Sequence, residues 1–192
     1  MKREWSGLLV ACAVVLLAAG CGGDIGGLGA AGKSTIPECG FVMTLPPGWT
    51  TEDYAETEFY KRGDRENSWG MAKFCPLWTL DQRTLSTRKF EGVSEFAKYV
   101  IEEERFDGAL AEVVSQRPLK VGEVQADAYE IIFRDNDGNC CFTVFIEMDG
   151  GQALQVFFMV PGGACEKFNK QYADAVNSIQ LASKRMDWGK AE

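Results

Sequence analysis

Apolar positions along the chain change period several times, and the changes mark the elements. Phe41 to Leu45 reads as a short strand that ends at Pro46-Pro47-Gly48-Trp49, where two prolines stop ladder bonding and glycine permits a turn. Phe59 to Arg62 and Trp69 to Phe74 read as two further strands around the polar turn 63–68. Residues 76–91 form a longer connection of mixed polarity. Phe96, Ala97, Val100 and Ile101 then make one stripe at helical spacing, predicting a helix from Glu95 to about Arg105 with Ser94 as its N-cap. Ala111 to Val121 alternates loosely and predicts a strand broken at Pro118. Gln125–Arg134, Cys141–Met148 and Ala153–Val160 are the strongest strands, rich in β-branched and aromatic residues. Asp135-Asn136-Asp137-Gly138-Asn139 and Asp149-Gly150-Gly151 join them as tight hairpins. Phe168, Tyr172, Ala175, Val176 and Ile179 form a full core-facing stripe, predicting a last helix over Glu166–Ile179. Leu181 extends that packing, and the tail 182–192 reads as frayed. A meander of antiparallel strands with one inserted helix and one C-terminal helix makes an α+β sandwich.

The N-terminus follows a different logic. Lys2 and Arg3 precede an unbroken apolar run from Leu8 to Ala19, too short for the roughly 20 residues that span a bilayer. Basic start, apolar core and small residues are the order of a secretory signal peptide, here residues 1–20. Leu17-Ala18-Ala19-Gly20-Cys21 resembles a bacterial lipobox, in which the cysteine is acylated and becomes the new N-terminus. Cys12 also scans locally, but it leaves too short an apolar core for export. Several acyl chains, palmitate among them, hold a protein to a membrane where one chain binds only marginally. Residues 21–36 are glycine- and alanine-rich and read as a flexible tether of about 20–23 Å average span. Within it, Gly27-Leu28-Gly29-Ala30-Ala31-Gly32-Lys33-Ser34 matches the phosphate-loop pattern letter for letter. That chemistry needs a strand before it and a helix after it. Glycines lead in and Thr35-Ile36-Pro37 follows, so no nucleotide is expected.

Composition narrows the chemistry. Twenty Lys and Arg stand against 28 Asp and Glu, a net charge of −8, which argues against nucleic acid as a partner. The chain has no histidine, so the commonest general base and the commonest zinc ligand are missing together. No serine with a recognisable base is visible, and no cofactor is called for. Asp135, Asp137 and Asn139 imitate the start of a calcium loop, but Gly138 falls too early and Ile146 stands where the closing glutamate belongs.

Of seven cysteines, Cys12 leaves with the signal and Cys21 takes lipid. Cys39, Cys75, Cys140, Cys141 and Cys165 remain, an odd set that fits two disulfides and a spare thiol in an exported body. Across the 149–151 turn Met148 meets Gln152, so Cys140 meets Val160, just short of Cys165. A bridge from Cys140 or Cys141 to Cys165 is therefore feasible. Cys39 and Cys75 then pair by elimination. Redox and metal roles for the vicinal Cys140-Cys141 are the alternatives, weakened because strand neighbours point to opposite faces.

Several segments together carry a resemblance. Phe41-x-x-x-Leu45-Pro46-x-Gly48-Trp49, Ser94-Glu95-Phe96-Ala97, Val121-Gly122 followed by Ala126 to Tyr129, and the Val160-Pro161 exit into the last helix resemble the layout of the PsbP-like family. The resemblance covers about residues 37–181. The family includes the thylakoid oxygen-evolving-complex protein, Ran-binding Mog proteins and LpqN-type bacterial lipoproteins. It implies an α-β-α sandwich around an antiparallel sheet, and members that mostly bind partners rather than catalyse. No functional residue of the family maps onto this chain, and fold analogy alone supplies no function.

The expectation is a lipid-anchored binding or scaffolding domain without catalysis. It sits on the extracytoplasmic face of a bacterial envelope, membrane-bound through its lipid, with another envelope protein as partner. The alternatives are a small-ligand carrier and a carboxylate-based hydrolase. Trp78, with Arg83, Arg88 and Lys89 nearby, is the candidate contact patch, against the alternative that Trp78 packs beneath its own loop.

Overall fold

The computed structural model describes residues 33–36, 41–54, 57–62, 68–81 and 86–181. Its frame is a seven-stranded antiparallel sheet. The strands are β3 (Trp49–Tyr54), β4 (Thr57–Arg62), β5 (Trp69–Pro76), β8 (Leu110–Val121), β9 (Ala126–Asp135), β10 (Cys140–Met148) and β11 (Gln152–Val160), in the order β3-β4-β5-β11-β10-β9-β8. A small second sheet, β1-β2-β12, joins β1 (Lys33–Ile36), β2 (Phe41–Thr44) and β12 (Gln180–Leu181). Between β5 and β8 the chain forms a hairpin, β6 (Trp78–Asp81) with β7 (Ser86–Lys89), and then α1 (Val93–Phe106). The last helix is α2 (Cys165–Asn177), entered through a 3-10 turn at Gly162–Ala164.

Each face of the sheet carries a helix. The α2 stripe Phe168, Tyr172, Ala175 and Val176 packs on Phe142, Val144, Leu154, Val156 and Phe158, with Ile179 just beyond the helix. Phe142 lies 5.2 Å from Phe168 and 5.1 Å from Tyr172, centroid to centroid. Trp49 closes this core edge-on to Phe158 at 5.3 Å. The α1 stripe Val93, Phe96, Ala97 and Ile101 packs on the other face, over Tyr129, Ile131, Phe133, Cys141 and Phe145. Burying one such side chain stabilises by about 2 kcal/mol, so both helices are held chiefly by these faces.

The expected hairpin register is present: Met148 pairs with Gln152 and Cys140 with Val160. Cys140 is joined to Cys165, with a Cα separation of 5.7 Å. Arg134 lies against that bridge, its guanidinium 3.6 Å from Cys165 Sγ. Cys141 faces the α1 side and is buried, and burial pushes its thiol up to about 12. It is therefore an inert apolar filler rather than a redox partner. Cys39 lies outside the described residues, as do Cys12, Cys21 and Arg83.

Several expectations are corrected. Lys33–Ile36, read as the end of the tether, forms a strand paired with Phe41–Thr44, because β2 supplies ladder partners that the glycine-rich composition does not reveal. This also places Lys33 and Ser34 in a strand instead of a helix-capping loop. Trp49–Tyr54 is a strand, and the long connection after Pro76 contains the β6–β7 hairpin. Ser94 is not the N-cap of α1. Gly92 holds that position, and Glu147 from β10 accepts from the Val93 N–H at 3.1 Å, while Glu95 accepts from the Glu91 N–H. Pro118 does not break β8, because β8 is an edge strand and its pairing with β9 continues through Pro118 to Tyr129. Two register shifts near Leu110 and Val113, with exposed Glu112, Arg117 and Lys120, blunt this edge against further pairing.

Gly70 sits where β5 passes Phe158. A Cβ there would lie 2.6 Å from the Phe158 ring and 2.8 Å from the Phe157 carbonyl oxygen. Gly70→Ala is expected to destabilise by about 1–3 kcal/mol, read as a lower urea midpoint at unchanged slope.

Candidate functional site

The candidate contact patch lies on the β6–β7 hairpin, and backbone bonds fix its base. The Leu77 N–H donates to the Gly151 carbonyl at 2.9 Å, and the Phe90 N–H to Leu77 at 3.2 Å. Leu77 is buried in the α1-side core, so the next residue leaves the core. Trp78 is 52% exposed, which removes the reading that it packs beneath its own loop. Its register partner is Lys89, which is exposed.

Arg88 is exposed and also makes contacts within the chain. Its guanidinium lies 5.1 Å from the Phe90 ring centroid and 4.9 Å from that of Tyr99, and 3.3 Å from the Glu95 carboxylate. It thus ties the hairpin to α1, and its charge is engaged within the chain. Glu95 accepts from the Glu91 backbone and from Arg88, and these two contacts hold its carboxyl below the ordinary glutamate range. The structure therefore gives the patch an open indole beside Lys89, with Arg88 as the brace behind them.

The carboxylates are divided among structural tasks. Asp135 accepts from the Asp137 and Asn139 N–H groups and from the Asn139 side-chain amide, so the calcium-like loop spends its first ligand on its own turn. Glu130 is buried on the α2 side and accepts from Arg117 at 2.8 Å. Tyr172 beside it is wholly buried, and burial, then the Glu130 charge, push its phenol far up. Among the described residues no group of three His, Cys, Asp or Glu is arranged to hold a metal ion.

Sequence reasoning missed a second feature. On the α1 side, register pairs Trp69 with Met159 and Met71 with Phe157. These four side chains are partly buried, and the Trp69 and Phe157 rings lie 5.1 Å apart. The signal was present as alternation along β5, but which stretch of a face a helix covers depends on where that helix docks. Glu104 lies in the C-terminal part of α1. Desolvation, then Asp107, push its carboxyl up, and Lys73 on β5 partly offsets them.

A carboxyl held above its unfolded value binds its proton more tightly in the folded state. Its ionisation therefore costs stability as pH rises through the glutamate range, and the cost is complete above the raised value. Glu104→Gln is expected to raise Tm at neutral pH and to flatten the fall in stability between about pH 4 and 7. Thermal melts of both proteins across that range check it.

No protein-family profile matches the chain, and no curated protein matches its sequence. Solved structures do resemble it. Cyanobacterial PsbP (CyanoP) from Synechocystis sp. PCC 6803 superposes with a TM-score of 0.57 at 12% identity, covering 83% of this chain and 98% of that one. The Ran-binding protein Mog1p of Saccharomyces cerevisiae gives 0.49 at 8% identity, over 78% of this chain and 94% of that one. PA94 of Pseudomonas aeruginosa, a putative regulator of unknown function by its description, gives 0.42 at 13% identity, over 80% and 96%. The match to CyanoP spans nearly all of that protein: the chain has the PsbP-like fold.

Proposed function

We propose that this chain is a non-catalytic binding or scaffolding domain, held by lipid on Cys21 at the extracytoplasmic face of a bacterial envelope. The observation that carries the binding role is Trp78. An indole is left open on a hairpin whose base is fixed by backbone bonds, while Leu77 beside it is buried. Large aromatic side chains that stay open on a rigid support are typical anchors for protein partners. The lipobox ending at Cys21 supports the anchor, and a disulfide in the body fits an oxidising compartment. The tether is short, so the partner would be another component of the same membrane.

Cross-linking the lipidated protein in its native membrane tests this reading. Cys21→Ser is expected to abolish acylation and release the protein from the membrane. Trp78→Ala is expected to cut partner recovery at least about fivefold, the loss of one modest hot spot, with Tm unchanged. An acylated Cys21→Ser protein, or equal recovery with Trp78→Ala, would overturn the corresponding half of the proposal.

We further propose that Cys39, between β1 and β2, is bridged to Cys75, so that the small sheet is clasped to the large one. β1 packs beside β4, and Thr57 at the start of β4 pairs with Lys73, two residues from Cys75. Non-reducing peptide mapping of the exported protein is expected to recover Cys39–Cys75 and Cys140–Cys165. Recovery of Cys39 joined to Cys165 would discard the arrangement.

A further inference from the structure

The register of the large sheet brings several loops to one of its ends. Met148 pairs with Gln152, and Gln152 pairs with Pro76, so the 149–151 turn and the approach to the β6–β7 hairpin lie together. The bond from the Leu77 N–H to Gly151 fastens them. On the other side of β10, Ile146 pairs with Ala128, which carries Ala126 and the 122–125 turn to the same level. The end of α2 reaches this place too. A Cβ on Gly122 would lie 3.5 Å from the Ile179 carbonyl oxygen, and the neighbouring Ser178 accepts from the Thr44 N–H. Thr44 is the register partner of Lys33, the first residue of β1. The segment that follows Cys21 therefore enters the body at the end of the sheet that carries Trp78.

Exposed apolar side chains gather at the same end. Among the described residues the large hydrophobic side chains left exposed are Trp78, Val114 and Val124. Val114 follows Val113, whose partner Phe133 pairs with Cys141 toward the opposite end. Val124 stands in the 122–125 turn, 52% exposed. That turn is fixed in shape, since the Gln125 N–H donates to the Gly122 carbonyl at 3.1 Å and the Gln125 side-chain amide donates to the same oxygen at 3.0 Å. Val124 is thus an apolar tip on a rigid support, as Trp78 is. The charges beside the two tips have opposite signs. Lys89 accompanies Trp78 and Glu123 accompanies Val124; both are exposed, and among the described residues neither is in an ion pair.

We infer that the 122–125 turn is a second contact point for the partner protein, and that this end of the sheet meets the partner's membrane-proximal surface, with a basic group opposite Glu123 and an acidic group opposite Lys89. This rests on the reading of the chain as a lipid-anchored binding domain and gives that reading an orientation and a partner chemistry. Length sets the orientation. The residues between Cys21 and Lys33 would span about 17–20 Å as a flexible coil. The nine residues of β10 span about 30 Å, so the opposite end of the sheet stands well beyond that leash. Charge and geometry select the occupant. A bilayer surface of one sign attracts one tip and repels the other. A second copy anchored in the same membrane points this end the same way, so the two ends cannot meet. A different protein of that membrane can present both signs at once.

The test uses the full lipidated chain in its native membrane, with a photo-reactive side chain in place of Val124. It is expected to form an adduct with the protein recovered by cross-linking. The same group in place of Asp137, exposed in the turn at the opposite end, is expected to form none. Glu123→Lys is expected to cut partner recovery about tenfold and Val124→Ser about threefold, with unchanged melts because both side chains stand in solvent. Val114→Ser is expected to leave recovery unchanged. Lipid alone is tested in phosphatidylcholine vesicles with brominated acyl chains, where tryptophan emission of the unmodified chain and of Trp78→Phe is expected to be quenched to the same fraction. No adduct at position 124, an equal adduct at 137, full recovery with Glu123→Lys, equal loss with Val114→Ser, or stronger quenching of the unmodified chain would each overturn the inference, the last by making the bilayer the occupant. If position 124 gives no adduct while Trp78→Ala still lowers recovery, only this inference falls; if Trp78→Ala leaves recovery unchanged while position 124 gives the adduct, only the hairpin contact falls.

Discussion

The structure depends on the pairing of β10 with β11, which contributes to the core on both faces of the sheet. Phe142, Val144 and Ile146 face α2, while Cys141 and Phe145 face α1, so one run of nine residues serves two cores at once. A slip of one residue would exchange the two sets and strip both helices of their partners. The same register places Cys140 opposite Val160, from which Pro161 and the 3-10 turn deliver Cys165 to bridging distance. That bridge pins the start of α2, and Ser178 pins its end, accepting from the Thr44 N–H at 2.8 Å while donating to Ala175. The C-terminal helix is thus held at both ends and along its length.

What was legible in the sequence follows from this arrangement. Strands buried on both faces are written as apolar runs, and Asp149-Gly150-Gly151 marks the turn between them, so the central register could be read directly. The two helices were legible because each buries one stripe. The β6–β7 hairpin was not, because the stretch 76–91 mixes polar and apolar residues without a strong period. The N-terminus of α1 was misassigned for a tertiary reason. Ser94 is the residue that local preference selects, yet a carboxylate from a strand 54 positions away caps the helix instead.

The site was partly legible. Trp78 was identifiable as a large aromatic in a polar connection, but its exposure depends on Leu77 taking the buried position beside it. Arg88 looked like part of a contact surface because its type and neighbourhood were visible in the sequence. Its stacking on Phe90 and Tyr99 and its pairing with Glu95 were not, since they bring a hairpin residue onto a helix seven residues later. An arginine used this way braces the hairpin to the helix while half of its side chain stays exposed.

The two helices also differ in how completely they finish their layers. On the α2 side the small sheet β1-β2-β12 adds Phe41, Met43 and Leu181 to the cover, and the aromatic cluster there is closed. On the α1 side the helix packs over β8, β9 and β10, and Trp69, Met71, Phe157 and Met159 stay at intermediate burial. Partial burial gains part of the hydrophobic stabilisation and keeps the remainder for whatever next covers the surface. A sheet with one closed face and one incompletely covered face has an intrinsic direction, and the acidic end of α1 lies on the side where cover is incomplete.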